Sequence, residues 1–174
     1  DQYYIKPVKR KTADMINKDI VTMIKDEDID YVDVRFTDPR GKLQHVTLMS
    51  DQVDEDFLEE GFMFDGSSIA GWKSIDKSDM KLMLDVNSAY IDPFYAEKTL
   101  CIHCSVVEPD TGEGYDRDPR GTAERAESYL KSTGIGDTSF WGPEAEFFLF
   151  DDVRYQVGIN KVSYQVDAID ASWN

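Results

Sequence analysis

Two short stretches carry the residues whose types and spacing could do chemistry. The first is MFDGSSIAGW, residues 63–72, where Asp65 precedes Gly66, Ser67 and Ser68 and a tryptophan closes the run. An aspartate on such an unencumbered segment can attract a cation or accept a proton. Asp-Gly is also a strong two-residue hairpin signal. SSIAGWKS makes a poor return strand, however, with Gly and Ser in its interior, so a mobile or ligand-facing loop fits better than a hairpin. The second stretch is GPEAEFFLF, residues 142–150. Read as a strand, it projects Glu144 and Glu146 from one face, about 6.5–7 Å apart at Cα. Phe148 and Phe150 continue that face, while Ala145, Phe147 and Leu149 occupy the other. Two carboxylates on a half-buried face repel each other unless something positive lies between them. Hard cations such as Mg²⁺ or Mn²⁺ take oxygen ligands. The strand would then be one wall of a two-metal site. The bland alternatives are a solvated Glu-x-Glu face and an ordinary Asp-Gly turn.

Cys101 and Cys104, in LCIHCS, have the spacing of half a zinc site or a redox pair. The second half of a zinc site is absent, and His45 is the one other histidine. In a strand, Leu100, Ile102, Cys104 and Val106 share one face and Cys101, His103, Ser105 and Val107 the other. The two thiols therefore face opposite ways and are expected to be packed rather than reactive.

Bulk properties narrow the classes. The chain has 174 residues, 41% of them hydrophobic, enough for a core, and a formal charge of −16 from 35 acids against 19 bases. That balance argues against a nucleic-acid partner, whose phosphates would be repelled. No run approaches the ~20 apolar residues of a membrane-spanning helix, and no charged-then-apolar leader opens the chain. A cytoplasmic location is expected.

The elements that must position these residues read as strands mixed with a few helices, an α+β arrangement. Residues 1–13 hold Lys6, Lys9, Arg10 and Lys11 and read as a terminal arm, disordered or carried over from expression. Asp14 is placed to cap a helix running to about Lys25, with Met15, Ile16, Ile20, Met23 and Ile24 on one face. YVDVRF and LQHVTLM alternate around the turn TDPRGK, a hairpin pattern. DQVDEDFLEEG reads as a short helix capped by Asp51 and stopped at Gly61. DMKLMLDV, AYIDPF and TLCIHCSVV read as strands, the middle one interrupted by Pro93. The turn-rich EPDTGEGYDRDPRG is the candidate domain boundary. Asp118-Pro119 then gives an N-cap with proline at the first helical position, opening a helix that ends at Gly134 or Gly136. TSFWGPEAEFFLFD and VSYQVDAI complete the list of strands.

Six stretches also resemble a known family. MFDGSSIAGW with IDKSDM is similar to the N-terminal signature of bacterial type I glutamine synthetases, and GPEAEFFLFD is similar to the start of their catalytic-domain metal strand. VDVRFTDPRGKLQHVT, YIDPF, GYDRDPRGTAERAESYL and STGIGDT fit the same family in the same order, from about Asp19 to Asn174. The resemblance implies a β-grasp N-terminal domain, here residues 14–115, followed at 116–174 by the incomplete beginning of a catalytic domain. It implies a reaction in which ATP phosphorylates the side-chain carboxylate of glutamate and ammonia displaces the phosphate to give glutamine. It further implies a double ring of twelve subunits, with the N-terminal domain of one completing the active site of the next.

Carried over by motif, Asp65 matches the loop aspartate that reaches into the neighbour's site and binds and helps deprotonate ammonium, and Ser68 the serine implicated beside it. Glu144 and Glu146 match two of the glutamates that hold paired Mg²⁺ or Mn²⁺ ions. Glu144 would ligate the ion bridging the nucleotide phosphates, Glu146 the ion nearer glutamate. Trp72 is assigned packing. Flexible Gly66 and Gly71 would let the backbone place Asp65 across a subunit boundary. Family chains are well over twice this length. The later metal ligands, the substrate-binding arginines and the ATP-contacting residues would mostly lie beyond Asn174, so the isolated chain is expected to lack synthetase activity. Two other readings are an assembly module of the same fold without chemistry and a relative that ligates a bulkier amine. The Asp65/Ser68 pair favours ammonia over the latter.

Overall fold

A computed structural model describes residues 15–74 and 78–173. The basic arm and the Asp14 cap lie outside the described residues. The chain divides into two compact units, with the break between Thr138 and Ser139.

The first unit runs α1 (Asn17–Asp26), β1 (Tyr31–Thr37), β2 (Leu43–Met49), α2 (Glu55–Glu60), β3 (Phe62–Asp65), β4 (Asp79–Leu84), β5 (Tyr90–Ile91), β6 (Thr99–Val107) and α3 (Pro119–Thr133). Its sheet has the order β2-β1-β6-β4-β3. β1 and β2 form the expected antiparallel hairpin, with Val34 opposite Val46. Asp38 shapes the intervening turn: its carboxylate accepts hydrogen bonds from the backbone N–H groups of Arg40 and Lys42 and from Gln44 Nε2, each at 2.9 Å. β1 runs parallel to β6, Tyr31 facing Thr99. The other edge of β6 pairs first with β5 at Leu100 and Cys101, then with β4 from Cys104 to Val107. AYIDPF thus shrinks to a two-residue strand, because Asp92 turns the chain by accepting the N–H of Phe94.

Period-two alternation decides which face is covered. Val32, Val34 and Phe36 of β1, Met80 and Leu82 of β4, and Leu100, Ile102, Cys104 and Val106 of β6 are buried with Ile20 and Ile24 of α1 and Leu58 of α2. The opposite face is polar, buried at Asp33 and Cys101 and open at His45 and Thr47. Asp33 is 1% exposed and accepts hydrogen bonds from Arg35 Nε, His45 Nδ1 and Thr47 Oγ1, each at 2.7 Å. Arg35 continues to Asp92 at 2.9 Å and Tyr90 Oη at 2.6 Å, tying β5 to the sheet. Cys104 lies in the apolar core and Cys101 on the polar face, both as free, buried thiols.

Two helix starts differ from expectation. α1 begins at Asn17 after Ile16, whose backbone N–H donates to Asp19. α2 is capped by Asp54, which accepts the N–H of Phe57 at 2.8 Å, and not by Asp51. Ser50–Gln52 winds a separate 3-10 turn first, which leaves Asp51 too early to cap. α3 follows expectation: Asp118 accepts the Arg120 N–H at 3.0 Å, Pro119 opens the helix, and Gly134 closes it in the left-handed region.

The second unit contains one antiparallel pair, β7 (Asp152–Val157) and β8 (Val162–Asp167). Val153, Tyr155 and Val157 lie opposite Val166, Tyr164 and Val162 on one apolar face. The strand expected over TSFWGPEAEFFLFD, residues 138–151, does not form; those residues carry no helix or strand.

Candidate functional site

β3 ends at Asp65, opposite Asp79 of β4. The chain does not reverse there. Gly66–Ser68 winds one 3-10 turn instead, with the Asp65 side chain as its cap. Asp65 Oδ1 accepts the backbone N–H of Ser67 at 2.8 Å and the Ser67 hydroxyl at 2.6 Å, the local side-chain turn typical of aspartate. Those two bonds, side chain first, hold the carboxyl below the ordinary value near 3.8. Asp65 is exposed, and so is Ser68. The family resemblance pairs Asp65 with Ser68, whereas the structure bonds it to Ser67. The signal for Ser67 is legible: it stands two residues after an aspartate, where such turns close.

The rest of the loop is fastened to the core. Gly66 donates its N–H to the Ser78 carbonyl at 2.7 Å and is buried. Ile69 is buried, and Ala70 returns to solvent. Trp72 is 6% exposed and packs against Phe36, Phe64 and Tyr115 with ring centroids 5.5–6.0 Å away. Its assignment to packing therefore agrees with its surroundings, although Nε1 has no hydrogen-bond partner among the described residues. An exposed carboxylate thus rides on a loop whose inner side is core.

The glutamate pair is arranged otherwise. Glu144 and Glu146 are both exposed, and they lie on no strand. The physical reason is visible in their neighbours: Phe147, Phe148 and Leu149 are 78%, 86% and 80% exposed. A strand that needs apolar cover on both faces and hydrogen-bonding strands at its edges finds neither among the described residues. The half-buried carboxylate wall is corrected accordingly. Among the described residues, no group of three or more His, Cys, Asp or Glu side chains is placed to hold a metal ion. Mg²⁺ keeps several waters and is usually bound through one or two carboxylates plus substrate phosphates, so Glu144 and Glu146 could supply part of such a shell. The described residues alone form no complete metal centre.

Residues 28–109 match the family model described as glutamine synthetase, beta-Grasp domain, and residues 116–173 match glutamine synthetase, catalytic domain. Glutamine synthetase of Cereibacter sphaeroides is 72% identical over 156 residues, which make up 90% of this chain and 33% of that protein. That of Escherichia coli K12 is 55% identical over 155 residues, 89% of this chain and 33% of that protein.

The chain belongs to the glutamine synthetase family. It spans about a third of the length of the curated glutamine synthetases it matches. A cryo-EM structure of Plasmodium falciparum glutamine synthetase superposes with a TM-score of 0.67 at 23% identity, covering 90% of this chain and 30% of that one. A GmaS/ADP complex superposes at 0.59 and 16% identity, covering 66% and 26%. At those identities the likeness speaks for the fold, and it is the mixed α+β fold of the glutamine synthetase β-grasp domain. No helix among the described residues is long and apolar enough to cross a membrane.

Proposed function

We propose that this chain is the N-terminal portion of an ATP-dependent glutamate–ammonia ligase, and that residues 14–115 and 116–174 are its β-grasp domain and the start of its catalytic domain. The ligase transfers the γ-phosphoryl group of ATP to the γ-carboxylate of glutamate. Ammonia then attacks the acyl phosphate, the C–O bond to phosphate breaks, and glutamine, ADP and phosphate result. The observation that carries this reading is the exposed Asp65 carboxylate on a loop whose inner side is fixed in the core.

Asp65 binds ammonium, with Ser68 beside it, and takes up one of its protons. The depressed pKa of Asp65 in this chain suits attraction of a cation and makes a weak base. Enclosure of the loop in a neighbouring subunit's site would desolvate the carboxylate and raise its pKa, strengthening it as a proton acceptor. The twelve-subunit double ring supplies such a neighbour. Glu144 and Glu146 would be two ligands of the paired Mg²⁺ or Mn²⁺ ions, the rest of the shell and most contacts to ATP coming from residues outside this chain. The setting is the cytoplasm.

A chimera tests the reading: this chain continued by the remaining two-thirds of the Cereibacter sphaeroides relative. It should form glutamine from glutamate, ammonia, ATP and Mg²⁺, while the isolated chain should form none. Turnover by the isolated chain would overturn the inactivity of the fragment. A chimera that prefers a polyamine to ammonia would favour the bulkier-amine reading, and an assembled but inert chimera would favour a purely structural module.

A further inference from the structure

The loop that presents Asp65 is held at both ends. At the front, Gly66 is seated between Met80 and Ser78. At the back, the side-chain fastenings among the described residues come from one segment, residues 108–117. Arg117 donates through Nη1 to the carbonyl of Gly71 at 2.6 Å. Lys73 Nζ donates to both carboxylate oxygens of Glu108, at 2.6 and 2.8 Å, and lies 5.1 Å from the ring centroid of Tyr115. Tyr115 in turn meets Trp72 edge-on. Gly71 has φ +85°, a conformation in which few other residues rest, so the bond from Arg117 fixes a carbonyl that the local backbone leaves easily turned.

The segment that supplies these contacts is itself anchored. The carboxylate of Asp118, 1% exposed, accepts the N–H of Val106 in β6 at 3.0 Å and caps α3 through Arg120. Tyr115 N–H donates to the Val106 carbonyl at 2.8 Å. Arg117 therefore reaches the loop from a rigid post. It falls within the residues that match the catalytic-domain model, whereas Gly71 falls within the β-grasp match.

We propose that Arg117 is a positioning residue for ammonium use: it clamps the back of the Asp65 loop to the start of the catalytic domain, and the Lys73–Glu108 pair is a second clamp. This rests on the reading of Asp65 as the ammonium-binding carboxylate. Without the clamp, Gly71 turns freely, residues 67–70 sample several poses, and Asp65 meets the ammonium position only part of the time. Bound ammonium selects the competent pose, so at saturation Asp65 still takes up its proton and the loss falls on ammonium KM.

The test uses the chimera described above with Arg117→Ala, Arg117→Lys, Glu108→Gln and Asp65→Ala. Loss of one hydrogen bond to a backbone carbonyl should raise the ammonium KM of Arg117→Ala about three- to tenfold, with kcat and the KM values for ATP and glutamate unchanged. Arg117→Lys keeps one donor and should recover part of the loss. Glu108→Gln should shift ammonium KM in the same direction, which keeps the proposal testable if Arg117→Ala folds poorly. In the isolated chain, amide hydrogen exchange over residues 66–72 should quicken in Arg117→Ala while α3 is unchanged. If Asp65→Ala raises ammonium KM and Arg117→Ala and Glu108→Gln do not, the clamp is wrong and the ammonium reading stands. If Asp65→Ala leaves ammonium KM unchanged, that reading fails, and unaltered loop exchange in Arg117→Ala would then remove the clamp as well. A fall in kcat at constant ammonium KM would also overturn the clamp.

Discussion

Gly66 packs its bare α-carbon against the thioether of Met80. A Cβ added there would lie 2.4 Å from Met80 Sδ and 3.1 Å from the Ser78 carbonyl oxygen. Met80 is fully buried, so its side chain has little room to yield. Gly66→Ala should destabilise the first unit by about 1–3 kcal/mol, the range for overpacking a core, and should push the Asp65 turn off its seat. Urea midpoints measure the first effect. Loss of protection at the Gly66 amide, which now donates to Ser78, reports the second.

Asp33 organises the polar face of the sheet. Burial raises its pKa, but the bonds from Arg35, His45 and Thr47 outweigh that and leave it below the ordinary value near 3.8. A depressed folded-state pKa contributes stability that is present above the unfolded value and is lost as pH falls through the folded one. Replacing Asp33 by Asn should therefore flatten the acid limb of stability between about pH 2 and pH 5, read from urea midpoints across that range. Asp33→Ala should cost about 3–5 kcal/mol at neutral pH, because Arg35 loses its one buried carboxylate partner.

The thiols should be inert. Burial pushes Cys101 up to about 11 and Cys104 up to about 12, and they face opposite sides of β6. Thiolate is the reactive species. Neither cysteine should react with an aromatic disulfide reagent in the folded chain at neutral pH, and both should react once the chain is unfolded in denaturant. Fast reaction of either in the native state would contradict their burial.

Local patterns were the legible part of this fold. The β1–β2 hairpin, the nine residues of β6 with its two oppositely facing cysteines, and α3 from Asp118 to Gly134 all follow from alternation, turn residues and caps within a few positions of one another. The parallel pairing of β1 with β6 joins residues nearly seventy positions apart, and no local signal encodes it. Asp51 and Asp54 are equally good caps by type; only the turn at Ser50–Gln52 separates them. Within the candidate site, Asp65 announced itself by its company of small residues. Arg117 did not, because an arginine in a turn-rich connector has no signature for the carbonyl it will meet. β7 carries a weak sequence signal, and residues 142–150 a misleading one, for the same reason. FFLF looks more strand-like than DVRYQV, but a strand exists by pairing, and β8 offers its edge to Val153–Val157.

The apolar run at 147–150 gives a context-dependent expectation. Phe147→Ser and Phe148→Ser should change the stability of the isolated chain by no more than about 0.5 kcal/mol, since both rings are exposed. In the chimera, where the proposed catalytic domain covers them, the same changes should cost about 3 kcal/mol each. Equal effects in the two settings would mean that residues 142–150 are not a strand of that domain.

The central claim is that Asp65 is the residue through which this chain handles ammonia. Steady-state kinetics of the chimera with Asp65→Asn tests it most directly. Asparagine keeps the size and the turn but removes the charge. The account requires ammonium KM to rise about ten- to hundredfold, the scale of one hydrogen bond to a charged group, while the KM values for ATP and glutamate stay unchanged. An unchanged ammonium KM, or an equal loss for all three substrates, would contradict it.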